Sequence, residues 1–326
     1  MKSYIKERLI LGVIITIISI PLILLSKSCK GQSGYIIQEK RADTLIDERS
    51  DFLKQFKNYS LGEWFKGMRF LVPPINYVSE NLKLRRYKSK KDENLSQSDY
   101  VLKVFTLIDF EERIVKCPKG KCARTYLIFD CEGQKYEYEY FGSYKEFLTE
   151  KNYVYSLSPL IYLNDVDSLR DKILNKTIYL LKPYTVASTT ECFKKFVPVL
   201  IKEIGISDDY LYPIKIKCLL QGCSKEIFID VSITTTNIPA KKTTFDEYFS
   251  IENPKLKHPE ISDEIWELIQ RGSLKIGMSK EECTLSFGKP ERINYTTIGN
   301  EKSEQWVYGT KTYLYFKEDK LSAVQY

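Results

Sequence analysis

The sequence predicts an α+β protein that is mostly β. Tyrosine and phenylalanine are abundant, at 24 and 16 residues, and aromatic residues suit pleated, half-buried strands better than helix bundles. Apolar and polar residues alternate in short runs separated by turn residues, which is the strand signal. Near the C-terminus, one capped helix is followed directly by four such runs. We therefore expect two small SH3-like β-barrel or sandwich domains, followed by a domain in which a helix packs on an antiparallel sheet.

Length, composition and net charge limit the number of domains and the class of protein. A chain of 326 residues is long for one core, so several modules are expected. Apolar residues make up 43% and charged residues 29%, which excludes global disorder. The net charge is +7, and residues 1–29 carry three of those positive charges. The remaining charge is too small to indicate nucleic-acid binding.

Residues 1–29 predict membrane attachment. A short basic segment precedes residues 9–25, which are uncharged and mostly aliphatic. This run is longer than most signal-peptide cores and shorter than the about 20 residues of a spanning helix. Cys29 stands where a bacterial lipoprotein is cleaved and lipidated, although Ser26 and Lys27 fit that signal poorly. A signal anchor and a lipoprotein signal are both open, and both tether the chain to the cell envelope, on the extracytoplasmic or periplasmic side.

Between the anchor and the C-terminal domain, three segments are expected. Residues 30–62 are polar with a helical spacing of apolar residues, which predicts a tether or docking helix. Residues 63–160 and 161–258 form the two β-domains, and their strand runs repeat in order. The predicted strands are 66–73, 100–108, 124–130 and 134–141 in the first domain, and 175–182, 196–204, 212–220 and 225–231 in the second. Helices are predicted at 165–174 and 262–270.

Residues 259–326 contain the most specific pattern. Ser279 followed by Glu282 is a capping box that starts a helix at Lys280. Gly288 and Pro290 end that helix. Short runs at 292–298, 304–308, 312–316 and 321–325 complete a sheet against which the helix packs.

This C-terminal pattern resembles the BamE (SmpA/OmlA) family of outer-membrane assembly lipoproteins. The shared landmarks are the helix opening Gly277-Met278-Ser279-Lys280, the exit at Gly288 and Pro290, and the strand pair that contains Trp306-Val307-Tyr308 and Tyr313-Leu314-Tyr315-Phe316. The resemblance covers residues 274–326. It implies a domain that binds protein partners at the envelope, without implying membership of the β-barrel assembly machine.

The sheet of this domain is expected to carry the binding face. Few helices are available to cover two faces, so aromatic side chains should be exposed on one of them. The candidates are Trp306, Tyr308, Tyr313 and Tyr315. The alternative is that the β-domains pack over these residues.

The remaining residue patterns do not indicate a catalytic site or a cofactor-binding site. The single histidine, His258, is interpreted as an exposed turn residue, although any triad would need it. Cys117 and Cys122 predict a disulfide at a hairpin tip, and a Cys₄ zinc site that adds Cys218 and Cys223 is the less favoured alternative. The basic segment 83–91 is read as a solvated edge strand or loop rather than a lipid-binding patch. We expect no metal, no cofactor and no small-molecule substrate.

The sequence therefore predicts a non-enzymatic, membrane-anchored envelope protein that acts in assembly or scaffolding through protein partners. The alternatives are a secreted-type inhibitor or sensor module, and a cysteine-dependent enzyme.

Deleting the N-terminal segment tests the anchor. A version of the chain that starts at Lys30 should become soluble without detergent, whereas the full chain should fractionate with membranes. Cys29→Ser should abolish attachment and lipid labelling if Cys29 is lipidated, and should change neither attachment nor solubility if residues 9–25 span the bilayer. Equal solubility of the two lengths would contradict membrane attachment.

Overall fold

The computed structural model describes residues 38–41, 50–74, 83–89, 97–151, 160–183, 194–221, 225–236, 243–298 and 301–326. The predicted anchor, residues 1–29, lies outside these ranges. Among the described residues, no helix has the length and apolar content needed to span a bilayer. Strand residues outnumber helical residues, all three sheets are antiparallel, and one sheet curls into a half-barrel. The mostly-β prediction is confirmed at that level.

The strands are β1 (Gln38–Arg41), β2 (Arg69–Leu71), β3 (Arg85–Arg86), β4 (Val104–Cys117), β5 (Gly120–Cys131), β6 (Gln134–Tyr140), β7 (Ile161–Tyr162), β8 (Thr177–Leu180), β9 (Val197–Ile206), β10 (Ile214–Leu220), β11 (Lys225–Val231), β12 (Phe249–Ser250), β13 (Arg292–Ile298), β14 (Glu301–Tyr308), β15 (Thr312–Lys317) and β16 (Lys320–Gln325). The α-helices are α1 (Gln97–Tyr100), α2 (Tyr144–Phe147), α3 (Leu163–Ile173), α4 (Phe245–Tyr248), α5 (Asp263–Gln270) and α6 (Lys280–Phe287).

Two of the sheets repeat one strand arrangement. The first sheet has the order β3-β6-β5-β4-β2-β7 and the second β11-β10-β9-β8-β12. Apart from the edge strand β3, both are four-stranded meanders whose fifth strand returns to pair beside the first. In both, a single helical turn, α2 or α4, comes before that returning strand. The predicted repeat is therefore present in strand order as well as in the sequence pattern.

The two long strands carry a β-bulge at the same place. One extra residue, Ile108 in β4 and Lys202 in β9, shifts the register against the next strand. Each bulge is held by two backbone hydrogen bonds to the residues that lead into β2 or β8. The Gly67 N–H donates to the Leu107 carbonyl (2.7 Å) and the Leu107 N–H donates to the Met68 carbonyl (2.9 Å).

The second unit makes the same pair of bonds. The Asn175 N–H donates to the Ile201 carbonyl (2.9 Å), and the Ile201 N–H donates to the Lys176 carbonyl (3.0 Å). Gly67 and Asn175 both have positive φ, at 95° and 60°, a conformation that glycine and asparagine tolerate best. The likeness of the two units thus extends to individual backbone atoms.

A second pair of residues at equivalent positions of the two units shows how the units differ. Leu102 and Phe196 both have positive φ, at 58° and 56°, and donate to the equivalent carbonyls of Val72 (2.8 Å) and Leu180 (2.6 Å). Leu102 is 63% exposed. The Phe196 ring instead stacks on Trp266 of α5, with centroids 5.4 Å apart. The same backbone feature is therefore on the surface in the first unit and docks the C-terminal helices in the second.

Helix α3 joins the two β-units into one packed body. Its buried face packs in the core of the second sheet, and the same core includes Leu71 and Ile161 from strands of the first sheet. The first sheet has its own core on the other side, rich in aromatic residues such as Phe70 and Phe129.

The segment predicted as a polar tether or docking helix differs from that expectation. Its described parts are strand β1 and two short 3₁₀ helices, Leu53–Gln55 and Leu61–Glu63; residues 42–49 lie outside the described ranges. Of the apolar residues behind the helical pattern, Leu53 and Phe56 are buried in the core of the second sheet, and the others, Ala42, Leu45 and Ile46, lie outside the described ranges. The Ser50 N–H and hydroxyl both donate to the Asp246 carboxylate at 2.7 Å, which fixes this segment on α4.

The C-terminal unit has the predicted helix-on-sheet form. Its sheet has the order β1-β13-β14-β15-β16, so four strands come from the predicted runs and the fifth, β1, arrives from near the N-terminus. The Ser279–Glu282 capping box starts α6 at Lys280, and the helix ends at Gly288, whose φ is 91°.

Paired alanine variants test the two uses of the repeated backbone feature. Phe196→Ala should destabilise the chain by about 2 kcal/mol or more, because a partly buried aromatic contact with Trp266 is lost. Leu102→Ala at the equivalent, exposed position should change the free energy of unfolding by less than about 0.5 kcal/mol. Urea unfolding of both variants gives the comparison, and equal costs would contradict the assigned contacts.

Candidate binding face of the C-terminal sheet

Helices α5 and α6 cover one face of the C-terminal sheet. Both helices begin with a serine cap: the Ile265 N–H donates to Ser262 Oγ (3.3 Å) and the Glu282 N–H donates to Ser279 Oγ (3.1 Å). Such caps stabilise helix ends by about 1 kcal/mol each, which matters because each helix has only eight residues and is unstable alone. Their apolar sides meet the sheet in one core that includes Met278, Cys283 and Leu314.

Trp306 and Tyr308 lie on this covered face. Trp306 is 5% exposed, its ring lies 4.5 Å from the Phe316 ring, and its Nε1 donates to Glu304 Oε2 (3.1 Å). The Tyr308 hydroxyl donates to the Gly288 carbonyl (2.8 Å) at the end of α6. These two residues are corrected from binding-face candidates to core residues, because the alternation that groups them points towards the helices.

Tyr313 and Tyr315 point to the opposite face, which we call the open face. A row of hydrogen bonds crosses all four C-terminal strands there. Asn294 Nδ2 donates to Gln305 Oε1 (2.8 Å), Gln305 Nε2 donates to the Tyr315 hydroxyl (2.9 Å), and that hydroxyl donates to Gln325 Oε1 (2.8 Å). Each side chain in the row fixes its neighbour, so the face is ordered in the unbound protein.

The composition of the open face differs from that of the whole chain. Strand pairing and alternation place these residues in its centre: Asn294, Gln305, Val307, Tyr313, Tyr315 and Ala323. Val307 among them is buried. Charged residues make up 29% of the chain, but none lies in this centre. They lie around it, at Arg292, Lys317 and Lys320, and the strand register puts Glu39 and Arg41 of β1 and Glu301 of β14 at its margins. A centre of tyrosine and short polar side chains without lysine or glutamate is typical of protein-binding surfaces.

Lys280 ties α6 to the edge of the sheet. Its Nζ donates to Glu304 Oε1 (2.6 Å) and to Asp319 Oδ1 (2.5 Å). Desolvation lowers the pKa of Lys280, but the hydrogen bonds to Asp319 and Glu304 outweigh it and the pKa is raised. The lysine of the Gly-Met-Ser-Lys sequence is thus a structural cation in this unit.

The cysteines divide into a disulfide and buried thiols. Cys117 and Cys122 form a disulfide near the tip of the β4–β5 hairpin, with Cα atoms 6.0 Å apart, as the spacing predicted. Their sulfurs are therefore not free for the alternative zinc site. Burial raises the pKa of the Cys131 thiol and raises those of Cys218 and Cys283 to about 12. Cys29, Cys192 and Cys223 lie outside the described residues.

The described part of the basic segment, residues 83–89, includes a paired edge strand. Arg85 of β3 donates through Nε to Glu137 (2.8 Å), and Arg113 of β4 donates to the same carboxylate (2.7 Å). Glu137 is 1% exposed, and the Arg113 guanidinium lies 4.1 Å from the centre of the Tyr126 ring. These arginines hold a buried carboxylate, which supports the edge-strand interpretation for this part of the segment.

A cavity of about 610 Å³ lies beside α4 in the second unit. It is lined by aromatic residues including Phe52 and Phe249, together with Asp246 and Glu252. The Asp246 carboxylate is already hydrogen-bonded to Ser50, and Glu252 pairs with Lys257 at 2.8 Å. The carboxylates of Asp246 and Glu252 thus each have a structural partner, and the two are not arranged for acid–base chemistry.

His258 is less exposed than the turn residue that the sequence predicts. Its side chain is 19% exposed, and its Nδ1 lies 3.0 Å from Glu281 Oε1. Glu281 is far from His258 in the sequence, in the first turn of α6, so no local motif joins the two.

No protein-family model, curated protein or solved structure matches this chain.

Substitutions on the two faces of the C-terminal sheet should behave differently. Trp306→Ala removes a buried ring and should cost about 3–5 kcal/mol, enough to unfold the unit. Tyr315→Phe removes only the hydroxyl of the polar row and should cost about 1 kcal/mol. Chemical unfolding followed by circular dichroism measures both, and a tolerated Trp306→Ala would contradict the assignment of its face.

Proposed function

We propose that this chain is a non-enzymatic, membrane-anchored protein of the cell envelope that binds other proteins through the open face of its C-terminal sheet. The observation that carries the proposal is the centre of this face, a row of hydrogen-bonded amide and tyrosine side chains without a charged residue among them. Its proposed role is envelope assembly or scaffolding.

The proposed BamE-like character of the C-terminal unit is supported by what its landmark residues do. Met278 is buried in the core, Ser279 caps α6, and Gly288 ends it at positive φ. Trp306 and Phe316 pack against each other under the helices. The residues that carry the sequence resemblance are therefore the ones that build this helix-on-sheet unit.

The proposed SH3-like character of the two β-units is supported by their strand order. In each unit a meander of four strands is completed by a fifth strand beside the first, after one turn of helix. Five short strands arranged in this way suit a small, partly open barrel.

Strand β1 supports a location close to the membrane. It pairs with β13 at the edge of the C-terminal sheet, and Gln38 is nine positions after Cys29, with eight residues between them. An extended chain spans at most about 3.3–3.6 Å per residue, so the sheet edge lies within about 30 Å of Cys29. If residues 1–29 are the anchor, the open face is held near the bilayer surface.

The Cys117–Cys122 disulfide supports an extracytoplasmic location, because disulfides persist in oxidising compartments. Among the described residues, the free thiols are all buried, which weighs against a cysteine-dependent enzyme that uses one of them. A nucleophilic cysteine needs an exposed, low-pKa thiol, and burial raises the pKa of Cys131, Cys218 and Cys283.

An inhibitor or sensor module would use the same open face, with a soluble partner instead of an envelope partner.

Site-specific photocrosslinking in intact cells tests the proposal. A photoreactive phenylalanine analogue at Tyr315 should capture a discrete protein partner in the membrane fraction. The matched control is the same analogue at Tyr212, an exposed tyrosine of the second unit, which should not capture that partner.

Gln305→Arg, added to the Tyr315 version, should remove the adduct while leaving the circular dichroism spectrum unchanged, because it places a charge in the middle of the polar row. Identical adducts from both tyrosine positions, or no adduct from Tyr315, would contradict binding through the open face.

A further inference from the structure

The only histidine of the chain lies against two carboxylates. His258 Nδ1 is 3.0 Å from Glu281 Oε1 and 3.5 Å from Glu260 Oε1. One ligand atom from each residue can be chosen so that all three lie within 4.8 Å of one another. An imidazole nitrogen donates one hydrogen bond at most, so a hydrogen bond to Glu281 does not explain why Glu260 also converges on it.

We propose that His258, Glu260 and Glu281 form a binding site for a divalent transition-metal ion of the zinc class. Zinc is bound by histidine nitrogen at about 2.0–2.1 Å and by carboxylate oxygen at about 2.0–2.2 Å, so two ligands of a tetrahedral ion lie about 3.3 Å apart. The distances of 3.0 and 3.5 Å fall on either side of that spacing. Three protein ligands leave a fourth position for water or for a partner's side chain.

The charges around the site favour a cation. Among the described residues, neither Glu260 nor Glu281 pairs with a lysine or arginine. The nearby lysines are engaged elsewhere: Lys255 with Asp263, Lys257 with Glu252 and Lys280 with Glu304. The positive end of the α6 dipole opposes a cation by about 0.3–1 kcal/mol, which is small beside two carboxylates and an imidazole. The mixed nitrogen and oxygen donor set selects zinc-class ions over Ca²⁺ or Mg²⁺, which prefer oxygen ligands.

The site joins two parts of the fold. His258 ends the 3₁₀ helix Pro254–Lys257, which follows the last strand of the second unit, and Glu281 belongs to the first turn of α6. A bound ion would therefore link the C-terminal unit to the segment that follows the second β-unit, in addition to the Phe196–Trp266 contact. This inference does not depend on the open face or on the membrane anchor.

Metal binding by the full chain in detergent, after treatment with a chelator, tests the proposal. Equilibrium dialysis against Zn²⁺ should give one equivalent per chain, and Zn²⁺ should raise the thermal midpoint. His258→Gln should weaken binding by about 100-fold or more, since even losing a group that only orients a ligand costs about 10–100-fold. Glu281→Gln should also weaken it, whereas Glu267→Gln on the exposed side of α5 should not.

Cobalt substitution separates this site from the thiols. Co²⁺ bound here should give visible absorption without a thiolate charge-transfer band, and the visible signal should be lost in His258→Gln. A thiolate band, equal binding by wild type and His258→Gln, or no retained Zn²⁺ would each overturn the proposal.

Discussion

The shape of both β-units depends on one extra residue in a long strand. A bulge bends the strand and increases its right-handed twist. In both units the bulge lies where the long strand passes the residues that lead into the first strand, and both neighbouring strands are tied to it there. At each bulge the residue two positions before the first strand donates one of the two backbone hydrogen bonds and has positive φ, which costs most residues about 1–2 kcal/mol. Gly67 and Asn175 are residue types that accept this conformation at low cost.

The interaction between the units depends in turn on where each bulged sheet begins. The residue that leads into the long strand has positive φ in both units. In the first unit it is the exposed Leu102, and in the second it is Phe196, whose ring packs on Trp266. The main-chain N–H of Lys195 donates to the Gln270 carbonyl at the end of α5 (2.8 Å), and its Nζ donates to the Ser286 carbonyl at the end of α6. A cation at helix C-termini is favourable, although desolvation lowers the pKa of Lys195. Phe196 and Lys195 of the second unit thus hold both C-terminal helices, α5 and α6.

Local chemistry made much of this predictable from the sequence. The caps at Ser262 and Ser279 and the alternating runs located α5, α6 and the main strands closely. The predicted strand ended too early in β4, because Glu111 and Arg113 interrupt the apolar alternation by which a strand is recognised. They are tolerated within the sheet by contacts across strands, such as the pairing of Arg113 with Glu137. Strand β1 could not be recognised, since its four residues are polar and its partner β13 lies at the other end of the chain.

The same reasoning predicted the candidate binding face of the C-terminal sheet only in part. Period two groups Trp306 with Tyr308, and Tyr313 with Tyr315, but it does not say which group the helices cover. That depends on how α5 and α6 pack, and the packing is fixed by contacts from the second unit. The grouping of His258 with Glu281 is likewise a product of tertiary packing.

Strand β1, which follows the proposed anchor, pairs with β13 at the edge of the C-terminal sheet, and we propose that this pairing keeps the open face near the membrane. A disulfide trap between β1 and β13 tests it most directly. Glu39 and Asn294 are direct partners across the two strands, and opposite Cα atoms in antiparallel pairs are about 4.5–5.5 Å apart, within disulfide range. In the full chain in native membranes, Glu39→Cys with Asn294→Cys should form an intramolecular disulfide under mild oxidation. Gln38→Cys with Asn294→Cys, one residue out of register, should not. Equal crosslinking of both pairs, or none in either, would contradict the account.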